Sequence, residues 1–172
     1  MNIMFIKFIL NKPYKNIIRG ELKMRFLVQR VKKAQVDIDG QTVGRIEKGF
    51  LVLIGITHTD TKETADYLIK KLINLRVFED ENGKMNLGLK DVEGSLLLVS
   101  QFTLYADCTQ GNRPSFTEAA KPQFANELYK YAIEKCKEQI KNVETGVFGA
   151  DMQVSLINDG PVTIMLQKGM DF

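Results

Sequence analysis

The residues best suited to chemistry are a serine, a glutamine and a threonine at the end of an apolar run: Ser100, Gln101 and Thr103. Side chains alternate between the faces of a β-strand, so a strand through this stretch places Gln101 and Thr103 in one row with Leu97 and Val99. An amide and a hydroxyl in a buried row cost free energy unless they have partners, and a polar substrate is one such partner. The alternative is that the strand leaves the core here and its last polar side chains meet water. The stretch alone favours this second interpretation.

The remaining reactive residues are few. The chain has one histidine, His58, and two cysteines, Cys108 and Cys136. A metal site of the usual His and Cys ligands cannot be built from so few, and a histidine-based triad would have to use His58, whose place in a predicted strand-to-helix loop favours a solvated side chain. Two cysteines outside a Cys-x-x-Cys pair indicate a reducing compartment, and Cys136 is predicted to pack in the core. These residues therefore predict no metal site of the usual His and Cys type.

Hydrophobic patterning predicts the elements that hold these residues. With 172 residues, 44% hydrophobic and 26% charged, the chain fits one domain. Apolar runs predict strands, and helical spacing of apolar residues predicts one helix behind the capping box Asp60-x-x-Glu63 and one that starts at Pro122. Asp39-Gly40 predicts a tight hairpin turn. The predicted strands are residues 26–31, 34–38, 42–46, 50–56, 76–79, 95–105, 143–145 and 154–157, and the predicted helices are residues 61–75 and a segment from 122 with Phe124, Leu128, Tyr131, Ala132 and Cys136 toward the core.

A Gly-Pro pair interrupts the last apolar run, between Asn158 and Leu166. Proline lacks the backbone N–H that a sheet needs and restricts the residue before it, so Gly160-Pro161 predicts a sharp turn or bulge rather than continuous sheet. Because only about 5–6% of X-Pro bonds in folded proteins are cis, the pair by itself favours a trans bond.

The positive charge lies mostly at the N-terminus. Residues 1–23 contain five Lys or Arg and one Glu, which leaves 24 − 5 = 19 basic and 21 − 1 = 20 acidic residues in residues 24–172. A body with no net positive charge does not suit a protein that coats nucleic acid, since such binding neutralises many phosphates. Recognition of one end of an RNA is compatible with it.

We interpret residues 1–23 as a translated leader, with Met24 as the true start and residues 24–172 as the functional domain. The codons of Arg-Gly-Glu-Leu-Lys-Met can form a purine-rich ribosome-binding sequence just before an ATG. The apolar run at the N-terminus is interrupted by Lys7 and is far shorter than the roughly 20 residues of a membrane span, and no small-residue cleavage site follows it. We expect neither a membrane anchor nor a secretory signal.

Four motifs, with two segments between them, follow one another from Met24 to about Leu166. The motifs are Met24-Arg25-x-x-x-Gln29-Arg30-Val31, Ser100-Gln101-Phe102-Thr103-Leu104-Tyr105, Arg113-Pro114-Ser115-Phe116 and Asn158-Asp159-Gly160-Pro161-Val162-Thr163, and the segments are Asn74 to Asp80 and Gly146 to Ala150. None is specific alone, but their order makes a chance match improbable. Taken together, they resemble those of the D-aminoacyl-tRNA deacylases.

This resemblance implies a fold and an activity. The implied fold is a single α/β domain, with a mainly antiparallel, β-barrel-like sheet and two main helices packed on it. The implied protein is a cytoplasmic homodimer that hydrolyses the ester between a D-amino acid and the terminal adenosine of tRNA, and also removes glycine mischarged on alanine tRNA. No cofactor is implied.

The resemblance also assigns roles to individual residues. Ser100, Gln101, Phe102 and Thr103 line the pocket, and Gly160-Pro161, joined by a cis bond, reaches in from the partner subunit. A rigid main-chain carbonyl there holds the substrate amino group and leaves no room for an L side chain. Further roles by resemblance fall to Arg30, which props the Gly-Pro segment, and to Phe148 and Gly149 near the adenosine.

Two mechanisms and two other functions fit the same residues. In the first mechanism Thr103 is the nucleophile, for which the motif offers no adjacent base. In the second, the 2′-hydroxyl of the tRNA assists water, and backbone amides near Phe102 and Thr103 stabilise the oxyanion. Either way the catalytic residues are Ser100, Gln101, Phe102 and Thr103. We favour the second mechanism. The other functions are a general small-ester or thioester hydrolase and a non-enzymatic dimeric module that binds RNA ends.

Overall fold

The structure, a computed structural model, describes residues 23–168. The leader hypothesis for residues 1–23 therefore falls, apart from Lys23, outside the described residues. The strands are β1 Arg25–Ile38, β2 Gln41–Ile46, β3 Gly49–Gly55, β4 Phe78–Glu79, β5 Met85–Leu87, β6 Ser95–Ser100, β7 Val143–Thr145 and β8 Gln153–Gln167. The helices are α1 Lys62–Ile73, α2 Pro122–Lys137 and a 3-10 turn, Phe102–Tyr105.

One mixed sheet, nearly closed into a barrel, forms the centre of the domain. Its strand order is β2-β1-β3-β6-β7, with β8 paired to β1 as well. β1 is antiparallel to β2, β3 and β8, whereas β6 is parallel to β3 and β7. The two end strands of this order, β2 and β7, lie close together: a Cβ added to Gly44 of β2 would be 2.6 Å from the carbonyl oxygen of Thr145 in β7. The predicted fold class is confirmed.

Two apolar clusters cover the two faces of the sheet. The larger packs α1 and α2 against the sheet and contains Phe50, Val52 and Ile54 of β3. The smaller lies on the opposite face and contains Leu51, Leu97 and Val99 among others. Alternate residues of β3 thus enter different clusters, which explains why its sequence is apolar without interruption.

Several predicted boundaries are wrong, each for a local reason. The two strands predicted at 26–31 and 34–38 are one strand, because β8 pairs along both halves of β1. Asp60 does not cap α1: the cap is Thr61, whose hydroxyl accepts the amide of Thr64 at 3.3 Å. On α2, Phe124 is 39% exposed and Tyr131 is only half-buried, whereas Ala125, Tyr129 and Ile133 are buried.

Three other local predictions are confirmed. Asp39 and Gly40 both have positive φ, 49° and 76°, as the hairpin between β1 and β2 requires. Pro122 is at the start of α2, and Cys136 is 1% exposed. Neither helix among residues 23–168 has the length and apolar composition needed to cross a bilayer.

Candidate active site

The strand that carries the predicted site ends earlier than its sequence pattern indicates. β6 stops at Ser100, and residues 102–105 turn as a 3-10 helix. The amide of Gln101 still donates to the carbonyl of Ile54 at 2.8 Å and so continues the pairing of β6 with β3 by one residue. Beyond it the chain folds over Gly55, where a Cβ would lie 3.0 Å from the ring of Tyr105. A glycine at this position therefore permits the turn.

The polar side chains of this segment interact directly, although they are not neighbours in one strand row. The Gln101 side-chain amide donates a hydrogen bond to the hydroxyl oxygen of Thr103. The hydrogen bond of the His58 ring nitrogen is with the carbonyl of Thr117, at 2.8 Å, rather than with either of these residues. A carboxamide is not a base in either orientation. Thr103 thus has an amide, and not a general base, beside its hydroxyl.

A cavity of about 660 Å³ opens beside this turn. Five of the predicted site residues border it: Ser100, Gln101, Phe102, Phe148 and Gly149. Its floor is apolar, built mainly from β3, β6 and the start of α2. The apolar lining includes Ile54 of β3, Ile56 just after β3, Val99 of β6, and Pro122 and Ala125 of α2. A few polar groups at the rim of an apolar cleft are typical of a small-ligand site.

An aromatic pair stands at the rim of this cavity. Phe102 is 57% exposed, and its ring lies 5.0 Å from that of Phe116 at an angle of 70°. The sequence motif contained Phe116, but nothing in the sequence placed it in the site. It reaches Phe102 because Asp107 and Ser115 exchange two backbone hydrogen bonds of 2.8 Å and close the loop between them. Exposed aromatic rings can stack on a nucleobase.

The Gly-Pro segment forms a bulge in β8, as predicted. Gln29 pairs with Thr163 and Val31 with Asn158, so residues 159–162 stand opposite Arg30 alone. The Gly160–Pro161 bond is cis, as the resemblance implied and against the preference of the pair by itself.

The side chain of Asn158 closes this bulge internally. Its oxygen accepts the amide of Val162 at 2.7 Å, and its nitrogen donates to the Thr163 hydroxyl at 3.0 Å. The bulge therefore has a defined shape within one subunit.

Arg30 supports the bulge from the buried side. Its side chain is only about 5% exposed, and its Nε donates to the carbonyl of Asp159 at 2.9 Å. A second donor reaches the carbonyl of Val77, and the Asp159 carboxylate lies 3.4 Å from Nε. A buried guanidinium is tolerated only with such partners. This contact fits the propping role that the resemblance gives Arg30.

The described contacts leave the predicted site in two parts. Neither Gly160 nor Pro161 borders the cavity, and both are exposed. Thr103 and Arg30 do not border it either, although Thr103 is bonded to Gln101, which does. Within residues 23–168, no group of three or more His, Cys, Asp and Glu side chains is arranged to hold a metal ion.

Comparison with known proteins identifies the family. The profile of the family described as "D-Tyr-tRNA(Tyr) deacylase" matches residues 27–167. The D-aminoacyl-tRNA deacylase of Clostridium novyi (strain NT) is 60% identical over 149 residues, 87% of this chain and 100% of that protein. That of Thermosipho africanus (strain TCF52B) is 58% identical over 145 residues, 84% and 97% of the two chains.

Solved structures show the same fold. The c-Myc DNA Unwinding Element Binding Protein superposes with a TM-score of 0.78 at 39% identity, over 83% of this chain and 97% of that one. A probable eukaryotic D-amino acid tRNA deacylase superposes with a TM-score of 0.71 at 16% identity, over 83% and 98%, and this likeness is one of fold. The chain described here therefore belongs to the family of D-aminoacyl-tRNA deacylases, hydrolases that act on the ester bond of aminoacyl-tRNA.

Proposed function

We propose that this protein removes D-amino acids from tRNA at the cavity beside Ser100, Gln101 and Phe102. The observation that carries the proposal is an exposed aromatic ring, Phe102, beside polar groups at the mouth of an apolar cleft, in a chain of the deacylase family. The terminal adenosine of tRNA offers a ring to stack and hydroxyls to bond. Phe148 and Gly149, on the same cavity, are proposed to border that adenosine.

Main-chain groups and the substrate itself are proposed to supply the chemistry. The Thr103 hydroxyl has no base beside it, so activation as a nucleophile lacks a proton acceptor. The first N–H groups of a 3-10 helix have no carbonyl partner within that helix, and those of the present turn belong to Phe102 and Thr103. They are suited to an ester oxyanion. The 2′-hydroxyl of the terminal ribose then assists the attacking water, while Gln101 and Thr103 orient the substrate.

Chiral selection is proposed to depend on Gly160-Pro161 of a second subunit. Within one subunit these residues are exposed and do not border the cavity, so a homodimer that brings the bulge of one protomer to the cavity of its partner would complete the site. A main-chain carbonyl anchored through Arg30 would hold the substrate amino group and exclude an L side chain by contact. Glycine has no side chain to exclude, so glycine mischarged on alanine tRNA is a proposed second substrate.

The surface of β8 supports such a dimer. Among residues 23–168, β8 pairs with β1 along one edge and with no strand along the other. Its side chains Val154, Ile157 and Met165 are 36%, 47% and 41% exposed. A 15-residue edge strand with exposed apolar side chains is a surface that soluble proteins usually cover.

A subunit-mixing experiment tests the shared site. The Gln101→Ala substitution alters the cavity and the Pro161→Ala substitution alters the bulge, so each variant homodimer should be impaired. If the bulge of one subunit completes the cavity of its partner, a mixed dimer has one fully intact site, formed by the cavity of the Pro161→Ala subunit and the bulge of the Gln101→Ala subunit. Mixing the two variants should then restore deacylation. If both parts belong to one subunit, mixing restores nothing, and the shared site is refuted.

The activity is tested by deacylation of matched D-aminoacyl-, L-aminoacyl- and glycyl-tRNA by the purified protein. We expect release from the D and glycyl forms and retention of the L form. Comparable hydrolysis of the L form would remove the chiral argument, and equal activity on free D-amino-acid esters would indicate a general esterase. Binding of D-aminoacyl-tRNA without turnover would indicate an RNA-end-binding module.

We also propose that residues 24–172 are the deacylase domain of a cytoplasmic protein and that residues 1–23 are a translated leader. The full length of the Clostridium novyi relative aligns with 149 residues, and Met24 to Phe172 is also 172 − 23 = 149 residues. The intact mass of the protein made from its own gene tests this. A mass that includes residues 1–23 refutes it.

A further inference from the structure

Asp60 is a buried carboxylate that the proposed chemistry does not use. It is 3% exposed and lies between the end of β3 and the start of α1. Because Thr61 caps α1, the carboxylate of Asp60 is available for other donors. It accepts the amide of Thr57 at 2.7 Å with one oxygen and the amide of Met24 at 2.6 Å with the other. The second bond joins segments 36 residues apart in the chain.

The residues on both sides of Met24 contact the end of the 3-10 turn. The carbonyl of Lys23 accepts the Tyr105 hydroxyl at 2.7 Å. The guanidinium of Arg25 donates to the carbonyl of Leu104 at 2.5 Å and lies 4.7 Å from the centre of the Tyr105 ring. Residues 23–25 therefore hold Asp60 on one side and the last two residues of the turn on the other.

The turn has few internal bonds of its own. The amide of Leu104 lies 3.4 Å from the carbonyl of Gln101, a long contact, and the amide of Ala106 donates to the carbonyl of Thr103 at 3.0 Å. Phe102 and Thr103 at its start are exposed. A short, exposed 3-10 turn keeps a fixed position only through contacts from outside, since its own hydrogen bonds have poor geometry.

We propose that Asp60 is a positioning residue for deacylation, acting through residues 23–25 and Tyr105 on the turn that carries Phe102 and Thr103. This rests on the proposed function, which places the reacting ester against that turn. The carboxylate satisfies two buried N–H groups at once, which a neutral amide cannot do because one of its two ends is itself a donor. Burial raises the pKa of Asp60, and the two N–H donors and Lys23 oppose that rise.

The variant Asp60→Asn, made in the full chain, tests this. It leaves one of the two amides facing an NH₂ group, so the start of β1 should shift and the turn with it. We expect kcat for D-aminoacyl-tRNA to fall by about tenfold to a hundredfold, since displacement of a reacting group by a fraction of an ångström is costly, while KM changes by less than about twofold. The control is Asp91→Asn, which makes the same substitution at an exposed carboxylate that accepts the amide of Gly88 at 2.7 Å and does not border the cavity.

A second variant and a second measurement keep the proposal testable if Asp60→Asn does not fold. Tyr105→Phe removes only the hydroxyl, which donates to the carbonyl of Lys23 at 2.7 Å and also lies 3.4 Å from the carbonyl of Gly55, and we expect it to lower kcat in the same direction. The double variant should lose no more than the worse single one, because both act through one linkage. Amide hydrogen exchange at Leu104 and Ala106 should quicken in each variant, with exchange in β6 unchanged.

Unchanged kcat in both Asp60→Asn and Tyr105→Phe, or a loss equal to that of Asp91→Asn, overturns the proposal. So does a loss confined to KM or a fully additive double variant. If the unmodified chain releases no amino acid, the proposed function fails instead. The exchange rates at Leu104 and Ala106 still decide whether Asp60 positions the turn.

Discussion

Replacing Gly160 by alanine tests the bulge that is proposed to sense chirality. Gly160 has a φ of +134°, a conformation that L residues rarely adopt. An added Cβ would lie 2.8 Å from the side chain of Val162 and 3.1 Å from the guanidinium of Arg30. The backbone strain costs about 1–3 kcal/mol. Overpacking against such neighbours costs about 1–3 kcal/mol more.

Gly111 provides a matched control for the two contributions. Its φ is +142°, close to that of Gly160, but nothing lies within 4 Å of the position a Cβ would occupy. Gly111→Ala should therefore pay the backbone strain alone, about 1–3 kcal/mol, whereas Gly160→Ala should cost about 2–6 kcal/mol of unfolding free energy. Chemical denaturation with equal m-values measures both.

The deacylation activity of Gly160→Ala tests the role of the bulge independently of stability. A shifted bulge should lose discrimination, so the ratio of D- to L-aminoacyl-tRNA hydrolysis should fall in Gly160→Ala under conditions where the protein is fully folded. Equal destabilisation by the two substitutions would refute the packing argument. An unchanged D-to-L ratio with a displaced bulge would refute its role in chirality.

Three further predictions concern other parts of the molecule. Thr103→Ala should retain deacylation within about tenfold, whereas a tRNA that lacks the terminal 2′-hydroxyl should not be hydrolysed; the reverse pattern would establish a threonine nucleophile. Burial raises the pKa of Cys136 to about 12, so at about pH 8 a thiol reagent should label the exposed Cys108 alone until the protein unfolds, as mass spectrometry would show. Hydrogen bonds from the Asn86 side chain and nearby amides lower the pKa of Asp80, so its contribution to stability is present at neutral pH and lost as the pH falls below the ordinary value of the carboxyl. Asp80→Asn should lower stability at neutral pH and weaken the acid dependence of the melting temperature; a parallel acid curve would contradict this.

Local patterns in the sequence predicted much of the domain. The unbroken apolar run of β3, the Asp39-Gly40 hairpin and the proline that starts α2 each specify structure through neighbouring residues alone. The bulge at Gly160-Pro161 was also predictable, because proline cannot donate to a sheet. The site residues were predicted from the resemblance, since the Ser-Gln-x-Thr pattern alone favoured a strand leaving the core.

Contacts between distant segments decided the rest. The strand alternation that placed Gln101 and Thr103 in one row fails because the chain turns over Gly55, a site more than 40 residues earlier in the sequence. Phe116 reaches Phe102 only when the intervening loop closes. Asp60 accepts the amide of Met24, instead of capping α1, only when β1 lies beside it. The sequence by itself indicated most of the strands, helices and turns, because those preferences act over a few residues, but it predicted strand through Tyr105 where the structure has a 3-10 turn. The position of the cavity, its aromatic rim and the support of its turn were decided by tertiary packing, because each needs side chains that meet only after the sheet has closed.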